Sequence, residues 1–126
     1  MQKAAENSNV AVLGASPKED RYSFKAVKML KENGHKPIPI HPAGHTVDGV
    51  DGLKSLSDIT VNVDTLTVYV NSSISAQAYD EIIKLKPRRV IFNPGAENKE
   101  LADKLNIDGI ETIEACTLVM LRTKQF

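Results

Sequence analysis

The 126-residue chain contains no tryptophan, a single cysteine, and only three tyrosines and three phenylalanines. Because Cys116 has no partner within the chain, an internal disulfide is excluded, which is typical of a protein from a reducing compartment. No apolar run approaches the ~20 residues that a membrane helix needs. The polar residues 1–9 lack the apolar centre of a signal peptide. We therefore expect a cytoplasmic protein.

Net charge is also missing, since 16 lysines and arginines balance 16 aspartates and glutamates. This balance predicts no general attraction to nucleic acid or to an anionic membrane, so any anion-binding site must be local. The content of 41% hydrophobic and 25% charged residues is ordinary for a globular protein. The length fits one domain spanning residues 1–126.

Short apolar segments alternate with helical patterns along the chain. Residues 10–13 form a continuous apolar run that ends at Gly14, as expected of a strand covered on both faces. Residues 24–30 place their apolar side chains on one side of a helix, which Gly34 ends. Further strands are predicted at 36–41, 64–70, 89–92 and 110–113, and further helices near 72–85, 97–105 and 117–124. In the helix near 72–85, the residues expected to face the core are Ile74, Ala78, Ile82 and Leu85.

This alternation predicts an α/β, Rossmann-like domain of three layers with a five-stranded parallel sheet. We prefer the strand order 3-2-1-4-5, and the flavodoxin-like order 2-1-3-4-5 stays open as an alternative. Pro37 and Pro39 in the second strand indicate that one side of this strand is not fully hydrogen-bonded.

The loop after the first strand is the best candidate for an anion site, because ligands of open parallel sheets bind beyond the carboxyl ends of the strands. The small residues Gly14, Ala15 and Ser16 let the backbone approach a phosphate, which amide N–H groups and a helix dipole favour. A complete G-x-G-x-x-G motif is absent, and a tight turn with solvated lysines is the alternative interpretation. The basic residues that could add charge here are Lys18, Arg21 and Lys25.

The end of the second strand bears on which nucleotide could bind. An NAD site usually carries Asp or Glu there for the ribose hydroxyls, whereas this chain has His41 and Pro42 and no acid before Asp48. The pattern argues against NAD and leaves room for a phosphate on the ribose, to which His41 could donate. The alternative is a polar residue at a strand end. His35 and His45 lack ligands at metal spacing, so no metal site is predicted.

Three later positions complete the predicted edge. Asn71 and Gly95 follow the third and fourth strands, where either ligand contact or turn and cap chemistry would explain them. Cys116 is predicted at the start of the last helix, where a reactive thiolate is favoured, although a small buried residue is the commoner case. No nucleophile elbow, P-loop lysine or pair of carboxylates placed for acid–base work is present, so a non-enzymatic protein is favoured.

The order and spacing of several segments resemble the CoA-binding domain family in its small stand-alone bacterial form and, more distantly, the N-terminal domain of the succinyl-CoA synthetase alpha subunit. The resemblance runs from about residue 9 to residue 121. The segments that carry it are Val-Ala-Val-Leu-Gly-Ala-Ser-Pro at 10–17, Asp-Arg-Tyr-Ser at 20–23, Gly-His-Lys-Pro-Ile-Pro-Ile-His-Pro at 34–42, Val-Asp at 63–64, Asn-Pro-Gly-Ala-Glu at 93–97 and Glu-Ala-Cys at 114–116.

This resemblance implies a module that grips the nucleotide part of coenzyme A or an acyl-CoA, as a homodimer or with a partner protein. The alternatives are an NAD(H)-responsive domain, an enzyme that uses Cys116 as a nucleophile or as the disulfide partner of CoA, and a scaffold that has lost its ligand. His41 stands where the family has Asn, which leaves the adenine and ribose contacts open. The residues that match the family's binding segments are Gly14, Ala15, Ser16, Arg21, Tyr22, His41 and Pro42.

Overall fold

The computed structural model describes residues 2–126 and has five parallel strands in the order β2-β1-β3-β4-β5. The strands are β1 (Asn9–Leu13), β2 (Lys36–Ile40), β3 (Thr65–Val68), β4 (Arg89–Phe92) and β5 (Glu111–Glu114). The helices are α1 (Tyr22–Glu32), α2 (Ser72–Ser75), α3 (Tyr79–Leu85), α4 (Lys99–Ile107) and α5 (Thr117–Arg122), with 3₁₀ turns at Leu56–Asp58 and Ala76–Ala78. The predicted α/β fold with a five-stranded parallel sheet is confirmed.

The preferred strand order 3-2-1-4-5 is wrong, because β2 is an edge strand and β3 pairs with β1. On the outer side of β2, Leu53 N–H donates to the Pro39 carbonyl at 2.9 Å, and His41 N–H donates to the Leu53 carbonyl at 3.0 Å. With the two-residue period of a strand, Pro37 faces this same side. Neither proline has an N–H group to donate, so another full strand cannot pair there.

The sheet lies between two helical layers. On one face, buried Val12 and Ile91 pack with side chains of α1 and α5, such as Val27 and Leu121. On the other face, a second cluster is formed with α3 and α4. Fully burying one aliphatic side chain contributes about 1.5–3 kcal/mol, so the two clusters fix which helices cover each face. No helix within residues 2–126 is long and apolar enough to cross a bilayer.

The helix predicted near 72–85 is divided by the 3₁₀ turn at Ala76–Ala78. Ala78 and Ile82 are buried as expected, but Ile74 is 52% exposed, so its predicted inward orientation is wrong. A 3₁₀ turn advances about 120° per residue instead of the 100° of an α-helix. This difference rotates Ile74 away from the core and toward the carboxyl ends of the strands.

Candidate functional site

A first cleft of about 390 Å³ opens beyond the carboxyl ends of β1 and β2 and is walled on one side by the α2–α3 segment. Its base is apolar, with Leu13 and Ile40 from the strands and Ile74 exposed at its rim. The polar residues that line it are His41, Lys54, Ser55, Gln77 and Glu81. A pocket of this size, with an apolar base and few polar groups, is typical of a small-molecule site.

His41 is held as a neutral hydrogen-bond donor in this cleft. Its Nδ1 accepts a hydrogen bond from the Ala43 N–H at 3.0 Å, so the ring proton is on Nε2. Burial lowers the pKa of His41, and the neighbouring His45, whose ring centroid is 4.5 Å away, lowers it further. Within residues 2–126, no group of three or more His, Cys, Asp or Glu side chains is placed to hold a metal ion.

The two charged residues that line the first cleft, Glu81 and Lys54, differ in how many partners the protein gives them. Oε2 of Glu81 accepts hydrogen bonds from the Ser55 hydroxyl and from the Ser57 amide and hydroxyl, and the bond from Ser55 is the main cause of its lowered pKa. Lys54 forms no salt bridge with any residue in 2–126. The side chain of Lys54 packs over Gly44. If Gly44 carried a Cβ atom, that atom would lie 3.3 Å from Cγ of Lys54.

A second cleft of about 310 Å³ lies beyond the ends of β3 and β4, between the start of α1 and α5. Cys116, half-buried, is the residue before α5 and lines this cleft. Lys25 and Arg122 line it as well, and neither forms a salt bridge within the described part of the chain. Its lining contains no carboxylate, so the cleft is basic. The residues that line it are Tyr22, Lys25, Tyr69, Asn93, Pro94, Cys116, Leu118 and Arg122.

Polar groups support the second cleft from below. Asn93 is buried; its amide donates to Thr67 Oγ1 at 2.6 Å and to the Val68 carbonyl, and its Oδ1 accepts the Thr117 N–H at 2.9 Å. The Thr67 and Thr117 hydroxyls are bonded to each other at 2.8 Å. Tyr69 lies beside them with its hydroxyl buried. Burial raises the pKa of Tyr69, and interaction with the Thr117 and Thr67 hydroxyls offsets part of this rise. These contacts fix the loop after β4 to β3 and to α5.

Gly14 lines the first cleft at its boundary with the end of β3. Its φ of +88° favours glycine, and a Cβ added there would lie 2.7 Å from Cγ1 of Val70. Backbone conformation and packing thus both require glycine at this position. The residues that follow lead directly to α1, whose first residue, Tyr22, lines the second cleft. One short segment therefore connects the two clefts.

The amide groups of the predicted phosphate loop are not free donors, which corrects the sequence-based expectation. The Gly14 and Ala15 N–H groups both donate to the Ile40 carbonyl, at 2.9 and 3.1 Å, and the Ser16 N–H donates to Ser23 Oγ at 3.0 Å. The pairing of β2 with β1, which both candidate strand orders share, places the last carbonyl of β2 against the loop. The amides of the first turn of α1, at Tyr22, Ser23 and Phe24, have no acceptor among the described residues.

The structure brings together only some of the predicted site residues. Gly14, His41 and Pro42 line the first cleft, and Tyr22 and Cys116 line the second. Those in the loop before α1 are Ala15, which is fully buried, Ser16, whose Oγ accepts the Lys18 N–H, and exposed Lys18 and Arg21.

Asn71 and Gly95 line neither cleft. Asn71 is the N-cap of α2, where its Oδ1 accepts the Ile74 N–H at 3.1 Å. Gly95 has a positive φ of +89°, and its N–H donates to Glu97 Oε1 at 2.9 Å. Both residues have the turn and cap chemistry that was the alternative interpretation, and any contact with ligand stays a prediction.

The cleft residues that escaped the set of predicted site residues include Lys54, Tyr69, Glu81 and Arg122. Tyr69 could have been found, because the alternation of Thr65 and Thr67 places residue 69 on the same face beyond the strand end. Lys54 and Glu81 gave no local signal. They meet at the first cleft only because the turn around Leu56 packs against α3.

Comparison with known proteins agrees with this architecture. A protein-family model described as a CoA binding domain matches residues 8–122. The crystal structure of an uncharacterized protein, 40% identical, superposes with a TM-score of 0.90 and covers 98% of this chain and 100% of its own. The structure of cell-free ID.343 from Thermus thermophilus, 27% identical, has a TM-score of 0.87 over 95% of this chain and 91% of its own. The uncharacterized protein YneT of Bacillus subtilis (strain 168) is 25% identical over 103 residues, which is 82% of this chain and 76% of YneT.

Proposed function

The chain belongs to the CoA binding domain family, and on this basis we propose that it binds coenzyme A or an acyl-CoA through the nucleotide part. The observation that carries the proposal is the pair of clefts joined by the segment from Gly14 to Lys25. CoA has a nucleotide at one end, a diphosphate in the middle and a long thiol arm. The two clefts and the segment between them offer a place for each part.

The first cleft would take the adenosine. Leu13, Ile40 and Ile74 provide apolar surface for the base, and His41 offers its Nε2–H to the ribose side. Pro42, next to it in the lining, has no N–H of its own to satisfy, so it can contact the ligand at no polar cost. Rossmann-type proteins hold adenosine in this part of the fold, at the carboxyl end of the sheet.

The diphosphate would lie at the N-terminus of α1. The first-turn amides of Tyr22 and Ser23 lack partners, the first turn carries no acidic residue, and Arg21 at the N-cap makes no capping hydrogen bond with its side chain. Such a terminus attracts anions through its N–H groups and the helix dipole. Lys18 and Lys25 would add charge from either side of this turn. Gly14, Ala15 and Ser16 then act by shaping the approach rather than by donating amides.

The second cleft would receive the thiol arm, with Cys116 near its end. Tyr22 and Lys25 line this cleft and also begin α1, so an arm leaving the diphosphate reaches it directly. Asn71 and Gly95 lie on loops after β3 and β4, at the same edge of the sheet. They are the remaining residues that we propose to approach the ligand. The proposal is for binding and assigns no reaction.

Isothermal titration calorimetry of the full chain with CoA at physiological salt tests the proposal. We expect saturable binding with one CoA per chain. The variant Lys25→Met should weaken binding several-fold, because it removes one charge-assisted contact to phosphate, whereas Lys36→Met, at the amino end of β2, should not change it. Absence of heat at millimolar CoA, with a native circular dichroism spectrum, would contradict the proposal.

An NAD(H)-binding domain is the second candidate, and one observation favours it. The end of β2 has no acid, but Glu81 places a carboxylate in the first cleft from α3, where it could accept hydrogen bonds from ribose hydroxyls. Displacement of bound CoA by NADH at comparable concentrations would support this candidate. Displacement only by CoA fragments would exclude it.

A further inference from the structure

We propose that Lys54, together with His41, makes the first cleft selective for a nucleotide that carries a phosphate on its ribose. The inference rests on the proposed binding of CoA, which has a 3′-phosphate, whereas dephospho-CoA and NAD have none. It identifies Lys54, which lies 13 residues after His41 in the sequence, as a specificity-determining residue.

The first observation is that Lys54 is a cation without an acidic partner at a concave surface. It lines the first cleft with His41 and forms no salt bridge within the part of the chain that the structure describes. Its aliphatic stem packs over Gly44. A Cβ atom added to Gly44 would lie 3.3 Å from Cγ and 3.7 Å from Cε of Lys54. Because the packed stem belongs to a residue that lines the cleft, the ammonium group is the part of Lys54 that can bind an anion there.

The second observation is that the only carboxylate in the cleft lining does not neutralise Lys54 directly. Oε2 of Glu81 accepts hydrogen bonds from Ser55 and Ser57, and no salt bridge joins Glu81 to Lys54. Those hydrogen bonds lower the pKa of Glu81 and keep it ionised. The cleft thus offers one donor-satisfied carboxylate and one cation that is still available to a ligand.

The third observation is the protonation state of His41. Its Nδ1 accepts the Ala43 N–H, and burial lowers its pKa. His41 can therefore donate from Nε2 at neutral pH without carrying a charge, and the ionic part of the recognition falls to Lys54. A neutral donor beside an ammonium group matches a phosphate, which accepts several hydrogen bonds and carries negative charge.

A single diphosphate does not explain this arrangement. The diphosphate of the proposed ligand is assigned to the N-terminus of α1, and no residue of that helix lines the first cleft. A cation in the adenosine cleft is matched by a second anionic group on the same ligand. The ribose phosphate of CoA is such a group, since it is attached to the part of the molecule that the first cleft would hold.

The test compares CoA with dephospho-CoA, which differ by this phosphate alone, by calorimetry at constant ionic strength. The wild-type protein should bind CoA about tenfold more tightly, the size expected of one charge-assisted contact. Lys54→Met should remove most of this preference by weakening CoA, while its affinity for dephospho-CoA changes less than about twofold. Lys36→Met is the matched control, because it removes an exposed lysine from the other end of β2.

The outcomes separate the inference from the proposed function. If the wild-type protein binds neither compound, the proposed function itself fails. If it binds both equally, or if Lys54→Met weakens both to the same extent, CoA binding stands and the selective role of Lys54 is overturned. A loss of preference in Lys36→Met as large as in Lys54→Met would also overturn it, because the effect would then come from overall charge.

Discussion

The amino and carboxyl ends of the sheet use charged residues in opposite ways. At the amino end, Arg88 donates to both carboxylate oxygens of Asp64, at 2.8 and 3.1 Å. Arg89 beside it is fully buried, with its Nε 2.8 Å from Thr65 Oγ1 and its guanidinium 4.4 Å from the centre of the Phe126 ring. At the carboxyl end, the cations that line the two clefts form no salt bridge among the described residues; they are Lys25, Lys54 and Arg122.

This difference separates charges that hold the fold from charges that we propose to be available to a ligand. A buried cation is tolerated only when the protein supplies its hydrogen bonds, as it does for Arg89. A cation at a concave surface that forms no ion pair can contribute its charge to a bound anion. Substitutions at the amino end should therefore change stability and leave ligand affinity unchanged, and those in the clefts should do the reverse.

The largest effect is expected from Arg89→Ala. The change empties a fully buried site and removes the donors to Thr65 Oγ1 and to the Phe126 carbonyl, so we expect a loss of about 3–5 kcal/mol in the free energy of unfolding. Urea denaturation followed by circular dichroism measures it. The folded fraction should keep its affinity for CoA within about twofold, as expected of a site far from the substitution. A tenfold loss of affinity would contradict the claim that residues at the amino end of the sheet affect stability but not ligand binding.

The fold was largely predictable because its signals are local and repeated. Apolar strands ended by glycine and amphipathic helices gave the parallel sheet, and its five strands lie close to their predicted positions. The strand order was also within reach, since Pro37 and Pro39 already argued against a central β2. That argument concerned one side of one strand, and the usual dinucleotide-binding order was preferred over it.

The site was less predictable because its parts come from distant segments. The loop after β1 and the end of β2 could be located from the strand pattern, so Gly14 and His41 were predicted at the edge where they line the first cleft. Whether the loop amides were free depended on where the last carbonyl of β2 lies relative to the loop, and the Ile40 carbonyl accepts hydrogen bonds from two of these amides. Lys54 and Glu81 reach the first cleft only through tertiary packing, which no pattern within their own segments encodes.

A smaller effect on stability is expected from Gly14→Ala, which tests a residue that we expect to affect both stability and CoA binding. Alanine would have to adopt a positive φ here, and its Cβ would lie only 2.7 Å from Val70 Cγ1. We therefore expect the free energy of unfolding to fall by about 2 kcal/mol. We also expect at least tenfold weaker CoA binding, because the boundary between the clefts must move. Gly109→Ala is the control, since Gly109 has a similar φ of +83° and no atom within 4 Å of the added carbon. It should cost about 1 kcal/mol from the backbone alone. Equal losses in the two variants would show that the contact with Val70 is unimportant.

The smallest effect is expected from Asp64, and its dependence on pH gives it a signature. Burial alone would raise the pKa of Asp64, but hydrogen bonds from Arg88 and Thr65, with the charge of the two arginines, outweigh burial and hold the pKa below its usual value. A carboxyl whose pKa is lowered by folding stabilises the protein above its unfolded pKa of about 4, and this contribution is lost as the pH falls through the lower folded value.

Because the pair is partly exposed, we expect Asp64→Asn to cost about 1 kcal/mol at pH 7. The difference between the wild type and the variant in the free energy of unfolding, measured by urea denaturation, should shrink as the pH is lowered toward 3. A difference that stays constant from pH 7 to pH 3 would mean that the ion pair does not stabilise the amino end, and a change in CoA affinity at pH 7 would mean that the two ends of the sheet are coupled.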